Sequence, residues 1–301
     1  MTSILAVVVL LVSGACASAQ TPAAVPPRAA FDGARAFEDL KKIVAIGPRP
    51  SGSEGARATR DYIKQQLYAI GLQPSEQAFD ATTRAGIVRM VNVRAKLPGR
   101  GTGRLIIAGH YDTKRFTEFP FVGANDGGSS TAFLLELARA LKGRINAVPI
   151  EILFLDGEEA IGEWETGNTF GSRHYVEAAV KAGTIKQIKA MVLVDMIGDS
   201  GLVIKRESHS TPWLTDAIWS AAKTLNRPEF VDESTPIEDD HLPFLAAGVP
   251  AVNIIDLEYP DVSMRYWHTA DDTLDKTSAR SLQVVGEVLL AALPAIELRI
   301  R

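Results

Sequence analysis

The sequence predicts an α/β fold, a three-layer sandwich with a mixed, mostly parallel central sheet and helices on both faces. Three observations lead there. Short, nearly continuous apolar runs recur at residues 105–108, 150–155, 191–194 and 251–255. Their length and composition suit strands covered on both faces. Helical stretches at 131–141, 172–182 and 211–225 separate the runs, and a last one follows at 281–293. Strands that alternate with helices bury themselves by placing helix layers on both sides of a sheet.

Taken in order, residues 4–12 form an unbroken apolar run, too short to cross a bilayer, which needs roughly 20 such residues. Ala17-Ser18-Ala19 then gives a small-x-small cleavage pattern, so residues 1–19 read as a signal peptide and the protein as secreted or periplasmic. No Lys or Arg precedes the run. The single cysteine, Cys16, lies inside this leader. A chain cut after Ala19 carries no disulfide and relies on its core, which a chain of 301 residues can build. Residues 20–30, rich in Pro and Ala, read as a flexible tether. No second apolar span is visible, and residues 31–301 read as one catalytic domain.

Phe37, Leu40 and Val44 recur at helical spacing and Gly47-Pro48 ends that helix. Ser51 and Glu54 fit a capping box for a second helix. Its apolar residues are Tyr62, Ile63, Leu67 and Ile70, and its stop is Gly71. Val91, Val93, Ala95 and Leu97 alternate with polar residues, the period of a half-exposed strand. The net charge of −4 carries no basic stripe of the kind that grips nucleic acid.

In folds of this class ligands gather beyond the carboxyl ends of the strands. His110 and Asp112 directly follow the first buried run, Glu158 and Glu159 the second, and Asp195 the third. Asp126 sits in the Gly-rich loop 123–128, and His268 lies downstream of the fourth run. Imidazole nitrogen and carboxylate oxygen suit Zn²⁺, and a catalytic zinc keeps one position open. Adjacent glutamates suggest divided labour, one holding the metal and its neighbour moving protons. Taken singly, each residue has a plainer reading: an aspartate before a helix is most often an N-cap, and a Glu-Glu pair after a strand is usually a solvated loop. The grouping on consecutive strand ends favours the metal. His174, in a helix, and His209, in a polar loop, read as structural. Asp271, Asp272 and Asp275 read as the acidic start of a helix.

With these residues in place the sequence resembles the M28 metallopeptidases, and among them most the glutaminyl cyclases. The motifs run from Gly47-Pro-Arg-Pro-Ser-Gly-Ser53 through His110-Tyr-Asp-Thr-Lys114, Val122-Gly-Ala-Asn-Asp126 and Phe154-Leu-Asp-Gly-Glu-Glu159. They continue through Phe170-Gly-Ser-Arg-His174, Val194-Asp-Met-Ile-Gly198, Asp239-Asp-His-Leu-Pro-Phe244 and Trp267-His268-Thr269. The resemblance implies one zinc held by Asp126, Glu159 and His268, with Glu158 as the proton-shuttling group. It implies that Asp195 acts in catalysis through hydrogen bonds with Asp239, and that Trp164 and Trp267 wall a pocket for a glutaminyl side chain. In the aminopeptidases of the family, residues matching His110 and Asp195 hold a second zinc. Two activities on peptide N-termini therefore stay open: cyclisation of an N-terminal glutamine with release of ammonia, and aminopeptidase hydrolysis. A non-catalytic binding role is more remote. Glu238 departs from the Gln of many cyclases, the loop 258–265 is longer than in animal enzymes, and Gly127-Gly128 is more like the peptidases.

Overall fold

The structure is a computed structural model that describes Thr2 and residues 30–301. Apart from Thr2 and Ala30, the predicted leader and tether lie outside the described residues. The chain opens with two helices, α1 (Gly33–Ile46) and α2 (Glu54–Ala69). Next come β1 (Ser75–Thr83), β2 (Gly86–Leu97), β3 (Arg104–His110), α3 (Gly128–Lys142) and β4 (Ile150–Leu155). The second half holds α4 (Phe170–Lys181), β5 (Ile188–Asp195), β6 (Ile204–Glu207), α5 (Pro212–Thr224) and β7 (Phe230–Thr235). It closes with α6 (His241–Ala246), β8 (Ala251–Ile255) and α7 (Ala279–Ile300).

Six strands form one sheet in the order β1-β2-β4-β3-β5-β8. The four buried apolar runs are its parallel centre, with β3 between β4 and β5 and β8 beyond β5. β2 pairs antiparallel with β4 and carries β1 on its outer edge. Neighbouring residues of β3 feed opposite cores, as the pleat requires. Leu105 and Ile107 pack with helices α1, α2, α3, α5 and α7. Ile106 and Ala108 pack with Tyr175, Val176 and Ala179 of α4 and Phe244 of α6. This is the three-layer arrangement that the sequence predicts.

Several local expectations are corrected. Ser53, not Ser51, caps α2, accepting the backbone N–H of Ala56. Ser51 is buried and donates to Asp156 Oδ1 at 2.7 Å. The last helix runs past Leu293 to Ile300, with Pro294 inside it. By length and apolar composition α7 could cross a membrane, but its stripe from Leu282 to Ile300 is part of the main core. A small parallel pair, β6 and β7, and the edge strand β1 were not predicted. Their outward residues are polar or exposed, so no apolar run marks them.

Arg49, in the Gly-Pro-Arg-Pro segment, is fully buried and donates to the carbonyls of Tyr111, Val122 and Gly123 at 3.0, 2.6 and 2.9 Å. It thereby ties the end of β3 to the loop that leads into α3. Burial lowers its pKa to about 10, opposed by the nearby carboxylates of Asp272, Asp126 and Asp112.

Candidate metal centre and pocket

The predicted ligands meet at the carboxyl ends of β3, β4 and β5. His110 ends β3 and Asp195 ends β5. Both sit in buried backbone whose hydrogen bonds the sheet completes, so their side chains are held at fixed positions. The carbonyl of His110 accepts the hydroxyls of Ser130 and Thr131 at 2.7 and 3.2 Å, which docks the first turn of α3 on the strand end.

Asp126 is not an N-cap. Helix α3 starts at Gly128 after Gly127, with no side-chain cap. The Asp126 carboxylate instead lies between two imidazoles, Oδ1 at 3.3 Å from His110 Nε2 and Oδ2 at 3.2 Å from His268 Nε2. Gly127 makes this possible. Its φ is +77°, and a Cβ there would lie 2.4 Å from the carbonyl oxygen of Asp112. The sequence places Asp272 at a helix start, but it is buried. It accepts the backbone N–H groups of Asn125 and Asp126 at 2.8 and 3.1 Å and the hydroxyl of Tyr259 at 3.1 Å.

Glu158 and Glu159 are likewise buried rather than solvated. Asp112 accepts the backbone N–H of Glu158 at 3.2 Å and that of Glu159 at 3.3 Å, fixing the turn after β4. Glu159 Oε1 lies 3.3 Å from His268 Nε2. His268 itself has φ +55°, and Met196, just past Asp195, has φ +47°. Such backbone costs on the order of 1–3 kcal/mol at a non-glycine residue and clusters at functional sites.

Two groups of three ligand atoms result, His110–Asp126–Asp195 and Asp126–Glu159–His268, with Asp126 common to both. Asp126 Oδ2 and Glu159 Oε1 are buried without a hydrogen-bond partner, although both converge on His268. Asp112, Asp126, Glu158, Glu159, Asp195, Asp239 and Asp240 are all buried within this region. So many carboxylates sharing one desolvated space cannot all ionise without added positive charge. The donor set therefore fits a divalent cation with nitrogen and oxygen ligands.

The electrostatics show the same strain. Burial raises Glu159 and the charge of Asp126 adds to it, while contacts with His110 and His268 outweigh burial and hold Asp126 below its usual range. His268 is raised to about 9 by Glu159 and Asp126 against the effect of burial. Burial pushes Glu158 well up, with His110 opposing and Glu159, Asp239 and Asp240 adding. Asp239 is raised to about 7 by burial and by the charge of Asp195.

The expected hydrogen bond between Asp195 and Asp239 is not formed here. Asp195 Oδ1 faces His110 Nε2 at 3.0 Å, and Asp239 Oδ2 accepts from Asn253 Nδ2 at 2.7 Å. Two carboxylates bond only through a proton, and the raised Asp239 is the group able to carry it.

A pocket of about 530 Å³ opens on the centre, lined by Asp126, Glu158, Glu159, Asp195, Asp239 and His268. Trp164 and Trp267 both line it. Trp267 stacks on His268 at 4.2 Å between ring centroids. Trp164 donates its indole N–H to Glu238 Oε2 at 2.8 Å. His174, away from the centre, stacks on Phe79.

Sequence reasoning named Asp112 and Asp272 without their supporting roles, and missed a third acid–imidazole group, Glu207 with His209 and His241. In that group Glu207 already accepts from the backbone N–H of His209, from Ser210 and from both imidazoles, so its oxygens are spent on internal hydrogen bonds. Asp112 was within reach of sequence reading, since it lies two residues beyond His110. Asp272 carried no signal beyond the acidic cluster it belongs to.

Residues 92–293 match Peptidase family M28. A glutaminyl-peptide cyclotransferase-like protein of Mus musculus is 33% identical over 277 residues, covering 81% of this chain and 71% of the relative. The crystal structure of an Acidobacteriales bacterium glutaminyl cyclase superposes with a TM-score of 0.86 at 40% identity, covering 94% of this chain and 100% of that one. A Bacteroides thetaiotaomicron structure described as a leucine aminopeptidase precursor superposes with a TM-score of 0.81 at 26% identity, covering 89% and 99%. By the family match over residues 92–293 and its identity to these proteins, the chain belongs to peptidase family M28, where glutaminyl cyclases are among its relatives.

Proposed function

We propose that this enzyme is a zinc-dependent glutaminyl-peptide cyclotransferase, with residues 31–301 as one catalytic domain. The observation that carries the reading is the pocket itself, which Glu158, the group Asp126, Glu159 and His268, and two tryptophans all line. The similarity to the mouse and Acidobacteriales proteins supports it. The apolar run at 4–12 and Ala17-Ser18-Ala19 support an exported enzyme that meets peptide and protein N-termini outside the cytoplasm.

Asp126, Glu159 and His268 would hold the zinc, which would supply Lewis-acid polarisation for the γ-carbonyl of the substrate glutamine. Trp164 and Trp267 confine that side chain and fold it back on its own α-amine. Positioning of this kind contributes up to roughly 7–11 kcal/mol in favourable intramolecular reactions. Glu158 takes a proton from the α-amine as the ring N–C bond forms. It returns the proton to the departing nitrogen as the C–N bond of the amide breaks, releasing ammonia and a pyroglutamyl terminus. A desolvated glutamate with carboxylate neighbours is a stronger base than a free one, which suits both halves of this transfer. Asp195 and Asp239 sit beside it and hold the pocket's charge.

A second reading, aminopeptidase hydrolysis, is favoured by the intact group His110, Asp126 and Asp195. There a second zinc would share Asp126, and Glu158 would activate water. A zinc-loaded sample offered one Gln-initiated and one Leu-initiated peptide separates the two by mass. Loss of ammonia from the first, with the second untouched, is the expected result. Release of free leucine would overturn it.

A further inference from the structure

The mouth of the pocket is acidic, and its charge is anchored. Glu163 and Glu238 both line the pocket and both are exposed. Glu238 is not free to swing, because the Trp164 indole donates to its Oε2 at 2.8 Å. A hydrogen bond to an ionised acceptor is among the stronger kinds and fixes the carboxylate's direction. Of the cations nearby, Arg84 packs its side chain beside Gly162 of the pocket wall, and two others are engaged within the fold. Lys114 also lines the pocket, 3.6 Å from Glu159. Arg173 lines an adjoining cleft of about 250 Å³ that shares Trp164 and Glu238 with the pocket, and it is tied to Thr169 and Asn168 at 3.0 and 3.1 Å.

We propose that Glu238, held by Trp164 and joined by Glu163, selects the residue that follows the N-terminal glutamine, favouring Lys or Arg and disfavouring Asp or Glu. The inference rests on the cyclase reading above. With the glutaminyl side chain between Trp164 and Trp267, the rest of the peptide leaves through the mouth. The second side chain then passes within the screening distance of these carboxylates, about 8–10 Å at ordinary salt. An already oriented carboxylate loses little further freedom when it meets a cation, so the attraction is less offset by ordering. Charge effects at exposed positions are modest, a factor of a few for each interaction. Reversing the sign of the second residue counts the effect twice, for an expected preference of about tenfold.

The experiment compares kcat/KM for Gln-Lys, Gln-Ala and Gln-Glu peptides of equal length with the zinc-loaded enzyme, following pyroglutamyl product by mass. The expected order is Lys over Ala over Glu, with the Lys-to-Glu ratio near ten at low salt and smaller at about 0.5 M salt. Glu238→Gln keeps an oxygen for the Trp164 indole and removes the charge, so it should reduce that ratio several-fold. Glu238→Ala removes both, and a fall in turnover of all three peptides beyond that of Glu238→Gln would assign the remainder to the lost Trp164 contact. Equal turnover of the three peptides, or a ratio unchanged in Glu238→Gln, overturns the proposal while leaving the cyclase reading standing. Hydrolysis with no cyclisation of any peptide defeats the cyclase reading, and this proposal with it.

Discussion

Asp272 Oδ2 accepts the backbone N–H of Asp126 at 3.1 Å, so the loop that carries one proposed metal ligand, His268, sets the backbone of another. Its Oδ1 binds the neighbouring N–H of Asn125 and the hydroxyl of Tyr259. Groups that orient ligands from behind matter nearly as much as the ligands. Asp272→Ala is expected to weaken zinc binding by about 10–100-fold. Competition with a chelator measures this, alongside circular dichroism to confirm that the fold survives. Wild-type affinity in a folded variant would remove Asp272 from the metal's support.

The proposed mechanism gives Glu158 a different duty from its neighbour. Glu158→Gln should lower kcat by roughly 10²–10⁴, the range for loss of a general acid–base group. Zinc content should hold, since Glu159 and not Glu158 belongs to the ligand group. Turnover within tenfold of wild type would show that the proton travels by another route.

The buried pair Glu207 and His241, 2.9 Å apart, makes a pH prediction. Burial acts to raise Glu207, but hydrogen bonds from His241, the backbone of His209 and Ser210 prevail and lower it from 4.5 to about 2. A carboxylate depressed in the folded state adds stability above its unfolded pKa and loses it as pH falls through the folded one. Glu207→Gln should therefore be clearly less stable than wild type at pH 7, with the gap closing between about pH 4.5 and 2. Urea midpoints across that range test it. A gap that stays constant with pH would show that the ionised form of Glu207 is not what the fold stabilises.

Gly127→Ala should be costly, by at least about 1–3 kcal/mol, because the residue is held at φ +77° against the Asp112 carbonyl. Gly143→Ala, at φ −88° with nothing near its Cβ, is the control and should be close to neutral. Equal thermal midpoints for the two variants would mean that the backbone at Gly127 relaxes freely.

The sheet's centre was legible because β3, β4, β5 and β8 are buried at nearly every position and therefore nearly continuous in apolar residues. β1 is exposed at most positions and β7 has one buried residue, so neither leaves a hydrophobic trace. The candidate ligands were legible by type and by position after strands. Their supports were not. Asp112 and Asp272 act through backbone N–H groups, and the sequence does not say which carboxylate reaches which amide. Ser51 and Ser53 show the same limit, since two serines two residues apart each fit the start of α2. Only the fold reveals that one caps the helix while the other turns inward to Asp156.

The bond from Asn125 to Asp272 spans 147 positions of chain. Nine of the fifteen helices and strands lie within that interval, so a fragment that stops short of either end cannot bring the two residues together. Closing such a loop comes late, because its entropy must be met before the contact repays it. Recovery of activity during refolding should thus trail the return of helical signal, and a single nick in the interval should silence the enzyme long before its core comes apart.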